Sequence, residues 1–237
     1  MHIFVIGNAA SGKTTLSLRL KERGFRLVNL DPSTGLPQAD FDVRNRVKVE
    51  EIAEKYGLGF NGAQIKAMEI LSGEDFWICE KEDVVYDTPG QMEVFLYHNF
   101  GKKMCESVAS HGNEVVLIYV VDAYDARTLE NYVSIIAQAA SVYLRLSYPM
   151  IVVLNKIDSL SDEEVKRMEE WTDRELLEKM LGKGNEPLAK LMQSLVDFME
   201  YTNIFQRPIT ISAKKNEGIE ELMDVLYEIH CTCGDLS

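Results

Sequence analysis

Ile3-Phe4-Val5-Ile6-Gly7-Asn8-Ala9-Ala10-Ser11-Gly12-Lys13-Thr14-Thr15 is the stretch on which the reading of the whole chain turns. Ile3 to Ile6 is a short apolar run rich in β-branched residues, which predicts a buried strand. Lys13 to Glu22 carries helical periodicity. Between them Gly7 to Thr14 fits G-x-x-x-x-G-K-[ST], in the strand-then-helix context the pattern needs. Glycines at Gly7 and Gly12 let backbone N–H groups of Ala10, Ser11, Gly12, Thr14 and Thr15 wrap around phosphate oxygens at a helix N-terminus. Lys13 adds a point charge, and the Thr14 hydroxyl is a ligand for Mg²⁺.

Outward from this loop, short apolar runs alternate with helical segments. The strands are expected at Ile3 to Ile6, Arg26 to Asn29, Val84 to Asp87, Val115 to Val121, Ile151 to Asn155 and Ile209 to Ile211. Helices are expected at Lys13 to Glu22, Gln64 to Leu71, Glu93 to Ser110, Ala126 to Arg145 and Gly218 to His230. Strands apolar at every position imply a parallel sheet buried on both faces. The expected fold is therefore α/β, a three-layer sandwich with a mostly parallel central sheet, forming a single domain over residues 1–237. One stretch breaks the alternation. From about residue 160 to 206 the chain carries many charges, with Met168, Trp171, Leu176, Leu177, Met180, Leu181, Leu191, Met192 and Leu195 spaced as in amphipathic helices. It reads as a helical insertion that packs onto the sheet domain, with a partner-binding lid as the alternative.

Composition narrows the partners. The chain has 237 residues, 46% of them hydrophobic, and 25 basic against 38 acidic residues give a formal net charge of -13. Such a surface repels nucleic-acid backbones and anionic lipid, so neither direct nucleic-acid binding nor membrane association is expected. A pocket for one nucleotide remains compatible, since it uses main-chain N–H groups and one Lys. Cys79, Cys105, Cys231 and Cys233 are too few and too scattered to staple the chain, and Met1 to Gly7 lacks the basic start and apolar length of a leader. A cytoplasmic location is expected. His230-Cys231-Thr232-Cys233 has zinc-ligand residue types without a second pair, and His2, His98 and His111 show no ligand spacing.

Further motifs sit at strand ends. Asp87, followed by Thr88-Pro89-Gly90-Gln91, is expected to hold Mg²⁺ together with Thr14, while the Gly90 N–H meets a γ-phosphate oxygen. Asn155-Lys156-Ile157-Asp158 closes the fifth expected strand. A carboxylate at Asp158 can accept from both N1–H and the exocyclic amine of guanine, and adenine offers no such donor pair. Ser212-Ala213-Lys214 after the sixth strand supports the guanine carbonyl through a backbone N–H. The order of these motifs points to GTP and GDP. Asn29-Leu30-Asp31-Pro32 places another acid on the same edge, and Asp31 orients the attacking water, contacts the shell of ligands around Mg²⁺, or simply opens the turn before Pro32.

Taken together, Gly7 to Thr15, Asn29 to Pro32, Asp42-Val43-Arg44, Asp87 to Glu93, Asn155 to Asp158 and Ser212 to Lys214 resemble the GPN-loop GTPases, P-loop NTPases of the class that includes signal-recognition particle GTPases and MinD. The likeness covers nearly the whole chain. The Gly-Pro-Asn loop that names the family corresponds here to Gly59-Phe60-Asn61, with Phe60 replacing a residue of fixed φ. The resemblance implies Mg²⁺-dependent GTP hydrolysis by a homodimer in which Asn61 reaches the partner's phosphate site. It also implies a role in assembling a macromolecular complex, RNA polymerase in eukaryotic relatives. Asp31 and Gln91 compete as water-positioning residues, with Asn61 as the third catalytic candidate. A guanine-nucleotide sensor with negligible turnover is the alternative, and a small-molecule kinase is a third reading that would have no use for Asn155, Asp158 and Ser212.

Overall fold

The computed structural model describes residues 1–79, 82–172, 177, 187–200 and 208–234. Seven strands form one sheet: β1 (His2–Gly7), β2 (Arg26–Asn29), β3 (Phe41–Asp42), β4 (Val84–Asp87), β5 (Val115–Asp122), β6 (Met150–Asn155) and β7 (Ile209–Ile211). Their order is β3-β2-β4-β1-β5-β6-β7, and every pairing is parallel. The first strand thus lies in the middle, and the chain crosses from it to β2 before returning through β4. This puts the C-terminal tips of β1 and β4 side by side, with Val5 in register with Asp87. The α/β sandwich expected from the alternation of apolar runs is the fold observed.

Alternate residues of β1 serve two cores, because successive strand side chains point to opposite faces. Ile3 and Val5 pack with Leu16 and Leu20 of α1 (Lys13–Glu22) and with Leu222 and Leu226 of α9 (Ile219–Gly234). Phe4 and Ile6 face the larger core. That side is built by α2 (Val49–Tyr56), α3 (Phe60–Leu71), α4 (Met92–Tyr97), α5 (Phe100–Ser110) and α6 (Leu129–Leu146). Phe4 stacks on Tyr86 at a centroid distance of 4.5 Å, and Trp77 meets the same ring edge-on at 5.6 Å.

Several local expectations are corrected. The helix expected over Glu93 to Ser110 is two helices, because Asn99 sits in the left-handed region at φ 58°, which a right-handed helix cannot carry through. The helix expected from Gln64 begins at Phe60, with Gly59 as its extended N-cap. Gly59-Phe60-Asn61 is therefore a helix start, and Phe60 and Asn61 are exposed on its first turn. Sequence reading omits β3, too short at two residues for a period to register. It also omits α2, although Val49 and Ile52 of that helix are buried three residues apart. Within the expected insertion lie α7 (Asp162–Thr172) and α8 (Pro187–Glu200). Met168, Trp171, Leu177 and Met192 join the larger core, Leu195 packs against it and Leu191 is exposed; Leu176, Met180 and Leu181 lie outside the described residues.

His2 is 1% exposed, and its Nδ1 lies 2.9 Å from the Tyr86 hydroxyl. Burial pushes its pKa down to about 4. An unfolded chain takes up a proton near pH 6.5 that the folded imidazole declines until about pH 4, so stability falls as pH drops through that window. The shift amounts to at most about 3 kcal/mol. Urea titrations between pH 7 and 4 should therefore show a steeper acid loss in the native chain than in His2→Gln, and parallel curves would refute this origin.

Candidate functional site

The loop after β1 is shaped by contacts that only glycine permits. A Cβ on Gly7 would lie 2.1 Å from the Val120 carbonyl oxygen of the neighbouring strand. Gly12 has φ 95°, and a Cβ there would lie 2.2 Å from the Asn155 Nδ2. Ala10 also has positive φ, 62°. Glycine is thus required at Gly7 and Gly12 for close approach, and at Gly12 for conformation as well.

Asn155, at the tip of β6, is 1% exposed and joins two loops. Its Nδ2 donates to the Ser11 carbonyl at 2.9 Å, and its Oδ1 accepts from the Ala213 N–H at 3.0 Å. Ser212 donates its hydroxyl to Asp158 Oδ1 at 2.6 Å and accepts from the Lys215 N–H at 3.1 Å. The Ser212 hydrogen bond holds the Asp158 carboxyl below its ordinary pKa. An ionised, hydroxyl-anchored carboxylate can accept from two adjacent N–H donors, as the edge of a guanine base presents them.

A cavity of about 400 Å³ runs over the loop. Of the residues singled out from the sequence, Ala10, Gly12, Lys13, Thr14 and Thr15 line it from the loop and α1. Asp31, Asp87, Gly90 and Lys156 line it from the other strand tips. Gly7, Ser11, Asn155, Ser212 and Ala213 do not line it. Asp158 opens into a neighbouring recess with Lys215 and α7. Gln91, exposed at the start of α4, and Gly59, Phe60 and Asn61 do not line the cavity of their own chain.

Charge in the cavity is unevenly held. Lys13 is 5% exposed, and its Nζ donates to the carbonyls of Gly7 at 2.8 Å and Asn8 at 2.9 Å. Burial lowers its pKa, opposed by Asp87, Asp31 and Glu93. Asp87 accepts from Thr14 Oγ1 at 2.7 Å and Ser17 Oγ at 3.2 Å, and burial pushes its carboxyl up to about 6. Thr14 and Asp87 form a hard, all-oxygen donor pair, which fits Mg²⁺ better than a thiolate- or imidazole-seeking ion. Among the described residues no group of three or more His, Cys, Asp or Glu could hold a metal ion by itself.

Asp31 is fixed at both oxygens. Oδ1 accepts from the Ser33 N–H at 2.8 Å and its hydroxyl at 2.5 Å, and Oδ2 accepts from the Gly90 N–H at 3.3 Å. Asp31 thus both closes the turn that follows it and lines the cavity. Asn29, Asp42 and Arg44, which belong to the motifs of the resemblance, support this segment in a way that their sequence positions do not reveal. Asn29, buried, bonds the Asp31 N–H and the Thr34 carbonyl. Arg44 donates to the Ser33 carbonyl at 2.7 Å, and Asp42 accepts from the Leu36 N–H at 2.9 Å. Thr34, Gly35 and Leu36 form one wall of the cavity. The available signal was the Asn29-x-Asp31 pair at a strand tip, a turn-forming spacing. The role of Thr88 is likewise not revealed by its position; its hydroxyl donates to the Val5 carbonyl at 2.7 Å and ties the turn after β4 to β1.

A strand-loop-helix phosphate cradle with a threonine and an acid beside it defines a P-loop nucleoside-triphosphate-binding protein. A family model described as "Conserved hypothetical ATP binding protein" matches residues 5–232. The chain is 32% identical to the GPN-loop GTPase PAB0955 of Pyrococcus abyssi, over 100% of both chains. The crystal structure of that GTPase in apo form matches with a TM-score of 0.82 at 31% identity, covering 98% of each chain. GPN-loop GTPase 1 of Dictyostelium discoideum is 30% identical over 94% of this chain, which spans only 60% of that longer protein. The chain belongs to the GPN-loop GTPase family.

Asn155→Ala should leave the Ser11 carbonyl and the Ala213 N–H buried without partners. The expected loss is about 1–3 kcal/mol of stability, together with at least tenfold weaker guanine-nucleotide binding. Urea unfolding and calorimetric titration check the two separately; unchanged affinity would mean the brace does not shape the site.

Proposed function

We propose that this chain binds GTP with Mg²⁺ and hydrolyses it to GDP and phosphate as a homodimer in the cytoplasm, switching with nucleotide state. The observation that carries the reading is the Ser212-anchored carboxylate of Asp158, placed by β6 at the same sheet edge as the phosphate loop. It favours guanine, although the matching family model is described by ATP. Membership in the GPN-loop family supports hydrolysis over the sensor alternative.

Thr14 and Asp87 are the residues that would hold Mg²⁺, which when bound offsets charge on the β- and γ-phosphate oxygens. Lys13, already held by loop carbonyls, is placed to exchange them for phosphate oxygens, where its charge counts most in a water-poor cavity. Asp31 is the better placed of the two water-positioning candidates, because it lines the cavity and Gln91 does not. Its Oδ2 can accept a proton from the attacking water as the new P–O bond forms and the bond to the β-γ bridging oxygen breaks. The Gly90 N–H it now engages is then available to the γ-phosphoryl group.

Phe60 and Asn61 are exposed at the head of α3 and do not line the cavity of their own chain, which leaves them open to a second chain. The resemblance supports a trans contact by Asn61 and a client such as RNA polymerase. No helix among the described residues is long and apolar enough to cross a membrane.

Purified protein with Mg²⁺ should release phosphate from GTP far faster than from ATP. Lys13→Ala should abolish turnover, and Asp31→Asn should lower kcat by about 10²- to 10⁴-fold, with Gln91→Ala within a few-fold of native. Equal loss in Asp31→Asn and Gln91→Ala would return the two to competition. Native protein that binds GTP and leaves it intact for hours would make it a sensor. Sedimentation with a non-hydrolysable GTP analogue should give a dimer whose hydrolysis Asn61→Ala slows, while a monomer turning over at full rate would remove the shared site.

A further inference from the structure

Lys156 lies in the left-handed region at φ 70°, a costly conformation for a residue with a Cβ. It stands between the tip of β6 and the short 3₁₀ turn Ile157–Ser159, and it aims its stem across the phosphate loop. The Cε of Lys156 is 3.8 Å from where a Cβ on Gly12 would sit, and the side chain lines the nucleotide cavity. Its ammonium does not point into that cavity unpartnered. Nζ donates to Asp122 Oδ2 at 2.7 Å. Asp122 ends β5 directly beside Asn155 in the β5-β6 register, and its other oxygen accepts from the Tyr124 N–H at 3.0 Å. One carboxylate oxygen is thereby locked by the main chain and the other by the lysine.

We propose that Asp122 is a positioning residue for nucleotide binding: it pins the Lys156 ammonium so that the methylene stem stays laid over Gly12 as an apolar shelf for the purine ring. This rests on the guanine-nucleotide reading above. Lysine stems present apolar surface while their charged heads stay solvated or paired. Without the pin, a flexible ammonium in the same cavity as Lys13 is drawn to the triphosphate, and the shelf is lost. Asp122 touches no substrate atom in this role. Its effect is on the base end of the ligand and passes through Lys156.

The test is a double-mutant cycle read by dissociation of a fluorescent GDP. Asp122→Asn, and Asp122→Ser, which keeps an acceptor for the Tyr124 N–H, should each speed GDP release about 5- to 20-fold. The same changes made on Lys156→Ala should add less than twofold. Competition by inorganic triphosphate with Mg²⁺, which has no base, should be unchanged throughout, and thermal melting should confirm folded protein. Unaltered GDP release in a folded Asp122 variant overturns the proposal, as does an equal loss with and without the Lys156 side chain. Weakened triphosphate binding in parallel with GDP would assign Asp122 to the loop as a whole and also overturn it. Native protein that holds neither GDP nor GTP would remove the guanine reading and this inference with it, a result distinct from native binding that Asp122 does not affect.

Discussion

A single buried amide, that of Asn155, makes the three loops at the sheet edge depend on one another. It bonds the Ser11 carbonyl and the Ala213 N–H, and it fills the space above Gly12 that any side chain there would need. Each of these groups would otherwise be a buried polar atom without a partner, so the loops cannot relax independently without cost. Gly12 follows from the same constraint, since it makes room for the amide, whereas Gly7 makes room for the Val120 carbonyl of the adjoining strand. The cradle is thus held from outside, by strand tips, more than by its own turns.

A second brace holds the opposite wall of the cavity. Asn29 fixes the backbone of the segment from Asp31 to Thr34, and Arg44 and Asp42 fix the backbone from Ser33 to Leu36. β3 is only two residues long, yet it is what puts Asp42 and Arg44 under this loop. The arrangement leaves Asp31 the side chain whose carboxylate reaches Gly90, across from the phosphate loop. Rigid support on both sides of a reacting centre is what positions groups without a reorganisation cost when substrate arrives.

The parts legible in the sequence are those with strong local signals. Apolar runs such as Val84 to Asp87 and Arg26 to Asn29 match the observed strands residue for residue, and Gly7 to Thr14 was found by pattern and context. What was not legible depended on tertiary partners. The break at Asn99 is a single left-handed residue inside a run with helical periodicity. The helical start at Phe60 was obscured because Gly59-Phe60-Asn61-Gly62 has turn composition, and glycine at an N-cap reads the same as glycine in a loop. The braces were hidden for a related reason: Asn29, Arg44, Thr88 and Asp122 bond to groups whose nearness only the fold decides. Their residue types alone are those of ordinary surface turns.

The electrostatics of the cavity bear on the proposed pairing of nucleotide and cation. Burial pushes Lys13 toward its neutral form and Asp87 upward to about 6, so each charge in the site is held at a cost that its neighbours only partly offset. A triphosphate placed against Lys13 would favour the ammonium but repel Asp87 and Asp31. A divalent cation at Thr14 and Asp87 would favour the carboxylate but repel Lys13. Neither would resolve the strain alone, and both together would, since each would supply the counter-charge the other's partner lacks. The overall charge of -13 works in the same direction. It makes a bare polyphosphate a poor visitor at long range and, on the proposed reading, would leave recognition to the few fixed N–H groups, Lys13 and a cation accompanying the nucleotide.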